Sequence, residues 1–298
     1  MGCMMRKCLF LIVILGSHCC FAQTYDQEVI KAGEANSKRQ YDSCAIFFNR
    51  AFLLKPPSGN DMYNAAICNA KSGNTEKSFL LLITAVEKGI NISKLKIDPD
   101  LESLHDQTKW KKLIKKANHI QLDSFNTCRY PEYAKQLAKI WETDQYYRFR
   151  LGQAYESGAD TSIINDLWKE MRKADSLNDN VSKLEAIMNK IGWPAISKVG
   201  KLGANTAFLV IDHSSRETME KLFPFLEEAA KKGEASLSSY ATMKDRILVN
   251  RGKKQVYGTQ SYRDEKGKAI LFPVEDEKNL NNLRKEVGLE PLPEFANY

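Results

Sequence analysis

The chain has 298 residues, 27% of them charged and 43% hydrophobic, with 44 Lys and Arg against 37 Asp and Glu for a formal net charge of +7. Lysines and glutamates are interspersed, and no segment interleaves basic residues with stacking aromatics, which excludes the usual signatures of nucleic-acid binding. Of the seven cysteines, four lie in the first 22 residues, and Cys44, Cys68 and Cys128 that follow are an odd number with no close pair, so an ordinary apolar core rather than a disulfide-built scaffold is expected.

The first segment reads as an export signal. Arg6 and Lys7 form a basic start, Cys8 to Gly16 is an uninterrupted apolar run, and Cys20-Phe21-Ala22 puts small residues where a signal peptidase reads. The run falls short of the roughly 20 residues that a membrane-spanning helix needs. Cleavage near Ala22 is expected, leaving a periplasmic or secreted protein without a membrane span. A lipoprotein site wants a small residue before the cysteine, and His18 before Cys19 fits that poorly. Cys44 and Cys68 fall at small-residue positions inside helices and read as buried small hydrophobes.

Residues 41–56 match the segment 34 residues later, pairing Cys44 with Ser78, Phe48 with Leu82 and Ala51 with Ala85. Small residues at helical spacing let two helices approach closely around a bulky side chain. This period and pattern resemble the tetratricopeptide repeat. Pro56 ends the first copy, Met62 to Ala66 opens the second, and Gly73-Asn74 turns between its helices. Two hairpins leave an apolar face open. Residues 90–114, with Asp98-Pro99-Asp100-Leu101 and Trp110, look like the unit that caps such a stack. Overlapping its end, Lys109 to Lys116 sets Trp110, Leu113 and Ile114 on one helical face and lysines on the other, the layout of a solvated amphipathic helix. For residues 26–117 the resemblance implies a concave surface for a protein or peptide partner, or a spacer docked on a second domain.

Beyond residue 130 the pattern changes. A helix is predicted over 131–144, continuing through Gln145 and Arg148 toward Arg150, then a loop over 151–160 and helices over 161–173 and 180–190. Gly192-Trp193-Pro194 stops the last of these, with Trp193 as an anchor at the turn. Gly200 and Gly203 bracket a turn into an apolar central helix, 204–212, which ends at His213. Ser214 and Glu217 have capping-box spacing for the next helix, up to Lys232. A helix over 237–244 leads to Asp245-Arg246. A period of two then predicts three strands, 247–250, 254–262 and 268–273, joined by turns at Arg251-Gly252 and Lys266-Gly267. A helix over 275–287 closes the chain. The fold class expected is mostly α, with N-terminal helical hairpins and, over 130–298, an α+β domain in which a helical layer backs a small antiparallel β-meander.

The series Asp144-Gln145, Gly192-Trp193-Pro194, Gly200, His213, Asp245-Arg246, Tyr257-Gly258-Thr259-Gln260 and Arg284…Gly288-Leu289 resembles a bacterial domain known only as one of unknown function. The resemblance runs in order from about residue 130 to the C-terminus. Asp212 stands where that domain usually has glutamine. No activity follows from the resemblance.

The residues themselves allow a site. His213 is the only histidine after residue 130, and a histidine changes charge near neutral pH. Asp245 would orient it, Arg246 would clamp a carboxylate or phosphate, and Tyr257 or Gln260 would stabilise developing charge. On a strand, Tyr257 and Thr259 share one face and Gly258 and Gln260 the other, leaving room for a ligand. Trp193 is a further candidate contact. The plainer alternative makes His213 a helix-end hydrogen-bonding group and Asp245-Arg246 a cap with a surface ion pair. A zinc site is not expected from one histidine and no cysteine among the candidates. Phosphate-loop, dinucleotide-binding and serine-hydrolase motifs are absent from the sequence, so no metal or cofactor is expected. Two classes of function stand: an envelope scaffold that binds a partner through its repeats, and an enzyme or polar-ligand-binding domain using His213 as acid/base and Arg246 as anion clamp. Convergence of His213, Asp245 and Gln260 on one pocket would favour the second, and scattering of the three would count against it.

Overall fold

Side-chain caps set the start of the first helix of each N-terminal hairpin. Thr24 forms a capping box with Gln27 at α1 (Tyr25–Ser37), and Ser58 forms another with Asp61 at α3 (Gly59–Lys71). With α2 (Tyr41–Leu54) and α4 (Thr75–Glu87) these make two helical hairpins, α1 packing on α2 and α3 on α4. The computed structural model describes residues 24–264 and 269–292. The expected signal segment and the Lys266-Gly267 turn lie outside those residues.

The repeat positions do what their sizes require. Phe48 is buried among Ala32, Ala35 and Ala45, while Leu82 is buried beside Ala66 and Ala85. Cys44 and Cys68 correct the expectation of two separate small hydrophobes: they form a disulfide, with Cα atoms 5.9 Å apart, that ties α2 to α3. The pairing was hidden because the two cysteines sit 24 residues apart on different hairpins and meet only when the hairpins stack. In the next repeat Ser78 occupies the matching place and donates to the Ala66 carbonyl at 2.8 Å.

The capping unit consists of α5 (Ile92–Ile97), a 3₁₀ turn (Pro99–Leu101), α6 (Glu102–His105) and α7 (Thr108–Asn126). The Asp98 side chain caps the turn by accepting from Asp100 N at 2.9 Å and takes the Tyr63 hydroxyl at 2.6 Å. Trp110 and Leu113 of α7 close the core of the second hairpin, whereas Phe125 at the other end of α7 belongs to the core of the C-terminal half. One helix thus ties the two cores together.

The C-terminal half is built around α8 (Pro131–Ser157) and α11 (Ile196–Asp212), flanked by α9 (Thr161–Asn178), α10 (Asn180–Ile191), α12 (Arg216–Lys231) and α13 (Leu237–Asn250). The predicted loop over 151–160 is instead the last two turns of α8, stopped by left-handed Gly158 at φ 68°. At Gly200 (φ 74°) the chain leaves helical geometry within α11. Gly203 lets α11 close on α8, since an added Cβ there would stand 3.1 Å from Leu137 Cδ1. The cap of α12 is Ser215, whose side chain accepts from Thr218 N, rather than Ser214.

The meander is smaller than expected. Among the described residues β1 (Ser261–Arg263) and β2 (Ala269–Leu271) pair, antiparallel, with Tyr262 opposite Ile270, and Gln255 makes one isolated parallel bridge to Val274. Residues 247–250 finish α13. Their period of two arises because α13 is buried on two faces: Met243 and Ile247 enter the main core, while Ala241 packs with Tyr257 on the other side. The stretch 255–260 is bonded to the backbone of 272–275 at its two ends, Gln255 and Gln260, while the groups between them find side chains. α14 (Leu280–Glu286) is shorter than its predicted range. Among the described residues no helix is long and apolar enough to cross a membrane.

Candidate functional site

His213 follows the last residue of α11, where the buried side chains of Ala207, Val210 and Ile211 fix the helix end. Its Nδ1 lies 2.8 Å from Asp144 Oδ2 on α8. A carboxylate accepts, so Nδ1 carries the proton and Nε2 is the nitrogen left for chemistry. Asp144 is itself held: Gln145 Nε2 donates to the same oxygen at 2.7 Å, and Arg148 stands 3.6 Å from the other. Arg148 also donates to the Asp144 carbonyl and binds Asp175 of α9 in two-pronged fashion, at 3.1 and 2.9 Å. A chain of charge therefore runs from α9 through α8 to the histidine.

Burial pushes the Asp144 carboxyl up, but the His213 hydrogen bond and charge, together with Arg148, outweigh it and hold the group below the usual carboxylate range. Asp212 goes the other way. Burial raises its carboxyl, and Arg246 and His213 only partly offset this. The two carboxyls beside His213 are thus pushed apart, a pattern common where one group must stay charged and another can hold a proton. Arg246 donates to the Asp212 carbonyl at 2.9 Å, and its Nε stands 3.3 Å from Asp212 Oδ1. That last contact has ion-pair distance without hydrogen-bond alignment. Asp212 Oδ1 and Arg246 Nε are accordingly buried atoms with no hydrogen-bond partner among the described residues.

His213, Arg246 and Gln260 line one open cleft of about 940 Å³ between α8, α9, the α11–α12 joint and the end of α13. Arg148, Arg172 and Arg216 line it too, against Asp175 and Asp212, so cations predominate. Arg216 is engaged by Glu220 at 3.0 Å, whereas Arg172 makes no ion pair among the described residues. Among those residues no group of three or more His, Cys, Asp or Glu side chains is arranged to hold a metal ion.

The other candidates do structural work elsewhere. Asp245 does not orient His213. It is fully buried, and its carboxylate accepts from Val256 N at 2.7 Å, Tyr257 N at 3.1 Å, and Thr259 N and Oγ1 at 3.0 Å each. From the other side Arg284 donates to the Tyr257 carbonyl at 2.7 Å and the Gly258 carbonyl at 3.2 Å. Tyr257 and Thr259 are therefore locked into this clasp, and the Tyr257 ring packs against Tyr240. Gly258 (φ 63°) makes the turn, with Leu280 and Leu292 next to where a side chain would begin. Buried Gln255 completes it, donating to the Gln260 and Phe272 carbonyls and accepting from Gln260 N. Trp193 sits in the main core and does not line the cleft.

Sequence reasoning thus missed Asp144 as the partner of His213, and Arg148, Gln255 and Arg284 as supports. The Asp144-Gln145 pair stood in the motif series, but on a helical pattern it read only as a helix tail. No curated protein and no solved structure matches the chain. The model of a family of unknown function (DUF6624) matches residues 131–298, more than half of the sequence, and the chain belongs to that family.

Proposed function

We propose that the domain over 131–298 binds a small anionic ligand in the His213 cleft and that His213, oriented by Asp144, exchanges a proton with it. The observation that carries this reading is the 2.8 Å hydrogen bond fixing Nδ1 on a buried carboxylate, which leaves Nε2 for a cleft rich in arginine. Asp144 keeps the ring in one tautomer, with Nε2 the nitrogen that faces away from the pair. Arg246 and Arg172 supply the positive field for a carboxylate or phosphate. The test is a titration with inorganic phosphate followed at the His213 Cε1–H resonance. A saturable shift that is lost in Arg246→Met is expected; a resonance that never moves overturns the reading.

A second reading concerns residues 26–117 as a binding scaffold of the cell envelope. It is favoured by a cavity of about 440 Å³ with walls from α1, α3 and the stretch of α8 from Gln145 to Glu156. The inward side of the hairpins faces the chain's own α8, so a peptide partner held there would touch Gln145 and Arg148, the supports of Asp144. Export fits the Cys44–Cys68 disulfide, which persists in oxidising compartments. Protein recovered from cells is expected to begin at Gln23, with Cys44 and Cys68 resisting alkylation until reduced. An intact N-terminus with freely alkylated Cys44 and Cys68 would contradict it.

A further inference from the structure

The cleft has two chemically different ends. Along α8, Arg148, Leu151, Gly152 and Tyr155 share one stripe, and along α9 the facing stripe is Asp175, Arg172, Met171 and Trp168. The helices run antiparallel, because Arg148 pairs with Asp175 and Tyr155 pairs with Trp168, whose Nε1 donates to the tyrosine hydroxyl at 2.9 Å. Seven helical residues separate the two pairs on each helix, a rise of about 10 Å. The charged end adjoins Asp144 and His213. The other end is an aromatic wall, and Leu151, Met171 and side-chain-free Gly152 lie between.

Trp168 departs from the other tryptophans. Trp110, Trp141 and Trp193 are at most 8% exposed, whereas Trp168 is 38% exposed and Tyr155 is 52% exposed. Single exposed aromatics are ordinary. Here two of them are hydrogen-bonded across adjacent helices at the rim of a cleft lined by Asp212 and Arg246, whose buried Oδ1 and Nε have no hydrogen-bond partner among the described residues. Fixed aromatic rings of this kind stack on flat faces, of a heteroaromatic base or of a sugar, while the arginines hold the anion.

We propose that the His213 cleft takes an anion joined through a short spacer to a flat ring, with the anion at Arg246 and His213 and the ring on Trp168. This rests on the anion-binding reading above and adds the substrate class to it. Isothermal titration of the purified protein with inorganic phosphate, ADP and trehalose 6-phosphate tests it. At least one ring-bearing probe is expected to bind tenfold or more tightly than phosphate. The gain falls with ADP if the ring is an aromatic base and with the disaccharide if it is a sugar. Trp168→Ala should erase the gain and leave phosphate affinity within twofold, and Trp168→Phe should keep most of it. If phosphate binds and neither ring-bearing probe binds better, or if the gain survives Trp168→Ala, the ring assignment is wrong and the anion site stands. If no probe binds, both readings fall.

Discussion

Asp245→Ala is expected to destabilise the protein by about 3–5 kcal/mol, read from the urea midpoint at constant slope. The size follows from what the carboxylate holds. Three backbone N–H groups and one hydroxyl converge on it in a site without solvent exposure. Removing the acceptor leaves buried donors unsatisfied, each costing about 1–3 kcal/mol. Thr259→Val, which deletes only the hydroxyl bond, should cost about 1 kcal/mol. Similar small losses for both variants would mean that the 255–260 segment closes on other contacts and that Asp245 was misread as its anchor.

Asp144→Asn and Asp212→Asn should move stability in opposite directions. Asp144 is a buried carboxylate paired with His213 and backed by Arg148. Breaking such a pair costs about 3 kcal/mol at neutral pH. Because the folded group lies below its ordinary range, its stabilisation is complete above the unfolded value of about 3.9 and disappears as the pH falls through the folded value. The Asp144→Asn deficit should therefore shrink in acid. Asp212 is raised by burial, so its contribution to stability declines as the pH climbs from the unfolded value through the folded one. Asp212→Asn should be more stable than the parent at neutral pH and equal to it near pH 3. Arg246, a third exposed, can turn to water when it loses this partner. Chemical denaturation of both variants across the pH range checks the pair, and a parallel loss in both would contradict the split between the two carboxyls.

The helical repeat was legible because its signal is local and periodic. Cys44, Phe48 and Ala51 recur as Ser78, Leu82 and Ala85, and size alone dictates how those positions pack. The disulfide was not legible, since Cys44 and Cys68 meet only through stacking of the two hairpins. The C-terminal half shows the same divide. Helices over 131–144, 161–173 and 180–190 followed from apolar spacing, and Gly192 and Gly200 marked real breaks, with positive φ at both. The strand over 247–250 failed because a helix buried on two faces imitates a period of two. The strand predicted over 254–262 survives only at its end, in β1, because the N–H groups of Val256, Tyr257 and Thr259 go to Asp245 and the carbonyls of Tyr257 and Gly258 to Arg284, partners that no local pattern discloses. Of the candidate site, His213, Arg246 and Gln260 come together, while Asp245, Tyr257, Thr259 and Trp193 serve the fold. Asp144 was out of reach for the same reason: 69 residues separate it from His213.

On the proposed reading His213 serves a ligand and is more than a strut between α8 and α11. Asparagine in its place keeps a side-chain N–H for Asp144 and removes Nε2. The decisive measurement is the phosphate affinity of folded His213→Asn. Stability within about 1 kcal/mol of the parent is expected, because the buried hydrogen bond survives, with phosphate binding at least tenfold weaker, about 1.4 kcal/mol. A variant that binds phosphate as tightly as the parent would show that Nε2 touches no ligand and that the Asp144–His213 pair is structural.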